Sequence, residues 1–246
     1  MIAAGAARLS YGARQGSATN RRETAMELFE VMRTTFSARE FTDDPVEDST
    51  LYRLIDNARF ASSGGNRQGW HVIVVRDRAT REALVQAATP AAKLYSAQVR
   101  AGENPWNTID PTAVDEATIA EARAPGALTE PLLEAPVLLL VCVDLRVVAS
   151  VDRDLDRIGV ISGGSVYPFV WNILLAARHE GLGGTLTTMP VAGEPELQTL
   201  LGIPSHVAIA AVLPIGRPKK QLTKLRRKPV EEITSLEQWD GEPLRA

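Results

Sequence analysis

SSGGNRQGWHVIVV, residues 62–75, joins a loop of small and amide side chains to a run of β-branched residues. Small residues let a backbone approach a flat ligand closely, and Asn and Gln amides offer both donors and acceptors. A polar turn capping a strand explains such a run equally well. The strand Trp70–Val75 nevertheless fixes one element, and the others fall into place around it. Ahead of it, Ala25–Thr34 reads as a helix with Leu28, Phe29 and Met32 on one face. A second helix, capped by Asp48 or Ser49, carries Leu51, Leu54, Ile55 and Ala58. Behind it, Ala79–Ala88 reads as a helix, followed by helical pieces near 91–100 and 114–123. Ala135–Asp144 is nearly all apolar, as in a strand buried on both faces. Ile158–His179 reads as one long helix, apolar nearly all round, which Pro168 kinks or starts. GLGGTLTT is a glycine break and a short strand; Pro195–Leu201 is a short helix and His206–Ile215 a second buried strand. This order argues an α+β fold with a central sheet flanked by helices.

Composition narrows the class. A formal net charge of −3, with 45% apolar and 23% charged residues, describes an ordinary globular protein without a global pull toward nucleic acid or anionic membrane. The single cysteine, Cys142, excludes an intrachain disulfide and lies in an apolar run, as a core thiol does. No apolar run reaches bilayer length, so no membrane association is expected. Residues 1–24, rich in Ala, Gly, Arg and Ser, are expected to form a flexible arm. Residues 25–235 are expected to form one domain, and 236–246 a tail. The Ala, Arg and Val richness fits a GC-rich bacterial source.

Few residues advertise chemistry. Ser37 and Arg39 follow a helix in SAREF, where a guanidinium and a hydroxyl can share an anion. RPKKQLTKLRRKP, residues 217–229, holds seven basic residues and no acid. No aromatic residue interleaves with them, which argues against a nucleic-acid surface. His71, His179 and His206 show no metal spacing; His179 suits a helix C-terminus. GxGxxG after the first strand, GxxxxGK[ST] and GxSxG are all absent, which removes the dinucleotide, P-loop and hydrolase readings.

Four segments together resemble the nitroreductase family. Its flavin loop reads Pro-Ser-x-x-Asn-x-Gln-Pro-Trp; Ser63, Asn66, Gln68 and Trp70 are in register, while Ser62 and Gly69 replace the prolines. Its Arg-Arg-Ser-x-Arg-x-Phe pattern matches at Ser37, Arg39 and Phe41, but Thr35 and Phe36 stand where the two leading arginines are usual. EGLGGTLTT resembles the turn and strand along the flavin ring, placing Leu186, Thr187 and Thr188 there with backbone N–H groups toward it. Arg227, two residues before Pro229, matches the phosphate-binding arginine; Leu225 replaces a lysine, and Arg226 is its neighbour.

The resemblance implies a nitroreductase-like sheet and a homodimer built on the helix Ile158–His179, with two FMN sites at the interface. Ser63, Gly64 and Asn66 come from one subunit or reach across to the flavin of the other. NADPH or NADH supplies electrons and a nitroaromatic or quinone accepts them on the same flavin face, in ping-pong order and in the cytoplasm. No catalytic side chain is needed, because the flavin carries the chemistry. The rival readings are a same-fold enzyme with another acceptor (reductive dehalogenation or flavin destruction) and a flavin-holding, redox-responsive binding protein.

Overall fold

The computed structural model describes residues 26–246. Strand β2 (Val137–Asp144) lies inside an antiparallel sheet, between β1 (Trp70–Val75) and β4 (Val207–Gly216). The two-residue β3 (Gly183–Gly184) completes the order β1-β2-β4-β3. Register runs from Trp70 opposite Val143 to Val75 opposite Leu138, and from Val137 opposite Ile215 to Asp144 opposite Val207, with a bulge at Val141/Cys142. Side chains alternate across β2. Val137, Leu139, Val141 and Val143 join the core beneath α2 (Asp48–Ala58) and α6 (Tyr167–His179). Leu138, Leu140 and Cys142 join the core beneath α3 (Arg78–Arg100) and α7 (Glu194–Leu201). The α+β layering matches the expectation from sequence.

Several elements differ in extent. The long helix expected over Ile158–His179 is a 3-10 turn at Ile161–Ser165, a break at Val166, and then α6. Pro168 lies in the first turn of α6, because it cannot donate to the carbonyl of Gly164 and its fixed φ suits a helix start. Nor is α6 buried all round: Phe169, Val170, Ile173, Leu174 and Ala177 face the core, while Tyr167 and Trp171 are exposed. Conversely, the two helical pieces expected at 79–88 and 91–100 are one helix, α3, running through Pro90. Gln86 and Pro90 both lie on the exposed face, so the carbonyl that loses its partner stays near water. Leu84, Ala88, Ala91 and Ala92 keep the buried face continuous.

In α1 (Leu28–Thr34) the buried residues are Val31 and Thr34. Leu28, Phe29 and Met32, expected as the packed face, point outward, Phe29 with 69% of its surface exposed. Neither Asp48 nor Ser49 caps α2; the cap is Glu47, and Asp48 pairs instead with Arg76 at 2.8 Å. The helical piece expected at 114–123 is the short α4 (Glu116–Glu121), capped by Asp115. The expectation for the arm at 1–24 lies outside the described residues.

Helix α5 (Gly126–Glu134) has no strong sequence signal and depends on a distant cation. Arg81, 7% exposed, reaches from α3 to the carbonyls of Leu133, Ala135 and Pro136, the orphan acceptors at the α5 C-terminus. Its Nε is buried without a partner among the described residues. Arg81→Met removes the donors and leaves the carbonyls buried, so unfolding free energy from denaturant titration should fall by about 3 kcal/mol. A loss under about 0.5 kcal/mol, the level of a bland surface substitution, would mean that Arg81 does not hold α5.

Candidate functional site

At the end of α1 the chain leaves the helix through Thr35, whose Oγ1 bonds the Val31 carbonyl at 2.7 Å and whose side chain is buried. Phe36 packs into the core beneath α3. Ser37 then bridges Gly184 in parallel, and Ala38 N donates to the Gly184 carbonyl at 3.0 Å. Alternation buries Ala38 and turns Ser37 and Arg39 outward, where the Arg39 guanidinium folds back on the Ser37 carbonyl at 3.3 Å. On its other side the segment meets the start of the basic run: Thr42 N donates to Arg217 O, Lys219 N to Glu40 O, and Phe41 pairs with Pro218. The glycines of GLGG serve this packing. A Cβ on Gly183 would stand 2.7 Å from Pro218 Cγ, and one on Gly184 would stand 2.6 Å from Ile215 Cδ1 and the Pro214 carbonyl. Packing, not access to a ligand, requires glycine there.

Leu186, Thr187 and Thr188 follow along the edge of β4. Thr187 exchanges both backbone bonds with Val212, at 3.0 and 2.9 Å, so its N–H is not free for a ligand. The expectation of three inward-directed donors is thereby reduced to the N–H groups of Leu186 and Thr188, which carry no such bond among the described residues. Thr187 Oγ1 accepts from Met189 N at 3.3 Å.

The loop before β1 is drawn into a tight knot. Gly64–Asn66 form a 3-10 turn, and Gly65, Asn66 and Gln68 all have positive φ (62°, 53° and 50°). Ser63 Oγ accepts Gln68 N at 3.0 Å, and Gln68 Nε2 donates to Asn66 Oδ1 at 3.2 Å. Left-handed backbone at a glutamine is strained, and such strain persists only where the surroundings impose it. Gly64 N donates to Ser165 Oγ at 3.2 Å, and a Cβ on Gly69 would stand 2.5 Å from Val147 Cγ2. Trp70 then stacks on Phe169 of α6, centroids 4.8 Å apart and rings 3° from parallel, which locks the loop to the core.

The structure thus brings Ser63, Gly64, Asn66 and Gln68 together, and separately brings Ser37, Arg39 and the 186–188 segment together. The two groups sit at opposite corners of the sheet. Trp70 opens the edge strand β1 at the Val143/Ala208 end, whereas β3 lies on the other edge at the Gly216 end. Three strand spacings, roughly 14 Å, and the run from Ala208 to Gly216, roughly 26 Å, put the Ser37 corner roughly 30 Å from Trp70, whereas Thr187, bridged to Val212 midway along β4, lies roughly 20 Å from that residue. Arg227 joins neither group: it is exposed, and among the described residues its guanidinium bonds only the Arg226 carbonyl, at 2.7 Å. Beyond Gln221, whose Nε2 reaches the Thr34 carbonyl at 3.1 Å, the remaining hydrogen bonds are local.

Two buried charges nearby went unread in the sequence. Arg178, in the last turn of α6, donates from Nε to Thr34 Oγ1 at 2.9 Å. Asp152, 3% exposed, accepts the N–H groups of Val160 and Ile161 and the Arg157 guanidinium, pinning the loop between β2 and α6. An aspartate among arginines in DRDLDR looks like a solvated charge run; its loop-closing role needs the fold. Cys142 is the core thiol expected, pushed up to about 11 by burial and by the nearby Glu194.

The Val160 N–H above all, with the Arg157 guanidinium, holds the Asp152 carboxyl down at about 2. A carboxylate depressed on folding stabilises above its unfolded value, and loses that contribution as pH falls through the folded one. Asp152→Asn should therefore melt below the wild type at pH 7. The gap should close as the pH drops from about 4 toward 2. A gap constant across a pH series of thermal melts would contradict this assignment.

The profile of the nitroreductase family matches residues 32–217, most of the chain. An NADH dehydrogenase of Thermus thermophilus is 29% identical over 201 residues, 80% of this chain and 89% of its own length. Iodotyrosine deiodinase 1 of Pongo abelii is 27% identical over 84% of this chain and 67% of its own. Among solved structures, an oxidized iodotyrosine deiodinase bound to FMN and 3-iodo-L-tyrosine superposes with a TM-score of 0.61 at 22% identity, covering 87% of this chain and all of that one. The helix-flanked four-stranded sheet, the Ser63–Trp70 loop and the 32–217 match agree, and the chain belongs to the nitroreductase family.

Proposed function

We propose that this protein is an FMN-dependent oxidoreductase that draws electrons from NADPH or NADH and works as a homodimer with two interfacial sites. The separation of its two donor groups carries this reading. The Ser37–Arg39 corner and the Ser63–Gln68 knot are farther apart within one chain than a flavin mononucleotide can reach. A second copy that brings its knot to this chain's Ser37 edge completes a site, so the alternative in which Ser63, Gly64 and Asn66 cross to the other subunit's flavin is the one favoured. The surface suits such a partner: Leu28, Phe29 and Met32 of α1 and Tyr167 and Trp171 of α6 are all exposed in the single chain.

The donor set fits FMN. Ser37 and Arg39 offer a hydroxyl and a guanidinium to a phosphate, the free N–H groups of Leu186 and Thr188 offer donors to a ring edge, and the Asn66–Gln68 amides cover polar ring atoms. Bound FMN supplies the two-electron carrier between nicotinamide and acceptor. The protein contributes position. Stacking of Trp70 on Phe169 holds the knot in register, and the packing at Gly183 and Gly184 holds the Ser37 strand beside the 186–188 edge. No described side chain is assigned a proton transfer.

A nitroaromatic or quinone is the acceptor proposed. The deiodinase relatives, 26–27% identical over most of this chain, favour reductive dehalogenation of an aryl halide as the second reading. The basic run is assigned to phosphate, not to nucleic acid, and no helix among the described residues is long and apolar enough to cross a membrane. A cytoplasmic location is part of the proposal.

Purified protein should release close to one FMN per chain and sediment as a dimer; a colourless monomer that takes up no FMN would end the proposal. Initial rates over both substrates should give parallel double-reciprocal lines, whereas intersecting lines would exclude a shared flavin face. Arg227→Ala should weaken FMN binding by about tenfold or more, the worth of one charge-assisted bond to phosphate. Unchanged affinity would remove Arg227 from the site.

A further inference from the structure

We infer that Arg178 is a phosphate-binding residue of the flavin site, held ready at the Ser37 edge by Thr34; this rests on the FMN reading above. Arg178 is 9% exposed, yet among the described residues it has no ion pair, and its one side-chain hydrogen bond is Nε to Thr34 Oγ1 at 2.9 Å. The stem and Nε are taken up by the protein, while the two Nη groups have no protein partner among the described residues and are not closed off from the surface, so a charge held in this way is open to an outside anion. Glu180, two residues along, takes the Arg53 fork at 2.9 and 3.1 Å. Arg81, the other buried arginine of this kind, is matched by three helix-end carbonyls; Arg178 has no such set.

The place of Arg178 says which anion would match it. Thr34 gives its hydroxyl to Arg178 and its carbonyl to Gln221 of the basic run, and it leads through Thr35 and Phe36 into Ser37. Thr35 and Phe36 bring no charge to this edge, and both are turned into the protein. The end of α6 runs on through Gly181, near which Arg217 Nη1 lies, to Gly184, the bridge partner of Ser37. Arg178 is thus tied through Thr34, three residues before Ser37, to the segment that offers Ser37 and Arg39, and its two Nη groups carry no protein partner among the described residues. The guanidinium fork suits a phosphomonoester better than an ammonium would.

The test compares FMN with riboflavin, which lacks the phosphate, on the full-length dimer stripped of flavin, using fluorescence quenching to obtain both Kd values. In Arg178→Gln the preference for FMN over riboflavin should shrink at least tenfold while riboflavin affinity stays within about twofold. Arg178→Lys, which keeps a charge but not the fork, should fall between Gln and wild type. Equal weakening of both flavins, with or without dimer dissociation, would make Arg178 a structural residue or the partner of a carboxylate on the second chain, and would overturn the inference. An unchanged preference would overturn it too. If the Gln variant does not fold, the Lys variant decides alone: a wild-type FMN preference there counts against the inference, a reduced one for it. Failure of the parent reading looks different, because the wild type would then bind neither flavin, and both proposals fall.

Discussion

Strand β2 has no face to give to water. From Val137 to Val143 every side chain is buried, alternately under α2 and α6 and under α3 and α7, so helices on both sides are obligatory. At about 1.5–3 kcal/mol for each buried aliphatic side chain, the strand is the largest single store of hydrophobic stabilisation in the sheet. Its neighbours inherit their positions. β1 is fixed against it from Trp70 to Val75, and β4 carries that register on to the far edge, where the two residues of β3 dock. The functional segments hang from these outer strands, so the doubly buried centre sets where they stand.

That placement gives the site its character. The Ser63–Gln68 knot is tied down by Ser165, Val147 and the Trp70–Phe169 stack, and the Ser37 strand by Gly184 and Pro218. Each is rigid locally, and neither can approach the other without dismantling the sheet between them. A rigid chain with its binding groups at opposite corners and apolar residues uncovered on α1 and α6 is suited to twofold assembly, in which one copy's corner meets the other's.

Three buried charges show how differently one fold can handle the same problem. Arg81 is met by helix-end carbonyls, so it acts as a cap. Asp152 is met by two backbone N–H groups and Arg157, so it closes a loop. Arg178 is met by one hydroxyl. The first two find their main partners within the chain, Arg81 leaving only its Nε unpaired, and their roles are structural. The third keeps two Nη groups without a protein partner among the described residues, open to the surface.

The sequence by itself determined the order of elements, the two doubly buried strands and the segments that resemble flavin-binding motifs. Those properties are written in local periodicity, in apolar runs and in short spacings. Of its two readings for Pro168, a kink or a first turn, the structure takes the second, since proline geometry acts on its immediate neighbours. The sequence split α3 into two pieces, where a continuous buried face carries the helix through Pro90, and it misjudged Leu28, Phe29 and Met32, whose apolar character does not reveal which way they face. It could not find α5, which depends on an arginine more than fifty residues upstream in the chain. Only the tertiary structure decided that the candidate site is split between two corners, that the Thr187 N–H is already bonded, and that Arg178 lacks a counter-charge while touching Thr34 from 144 residues away. Charge compensation and solvent exposure are set by residues distant in sequence, and no local pattern encodes them.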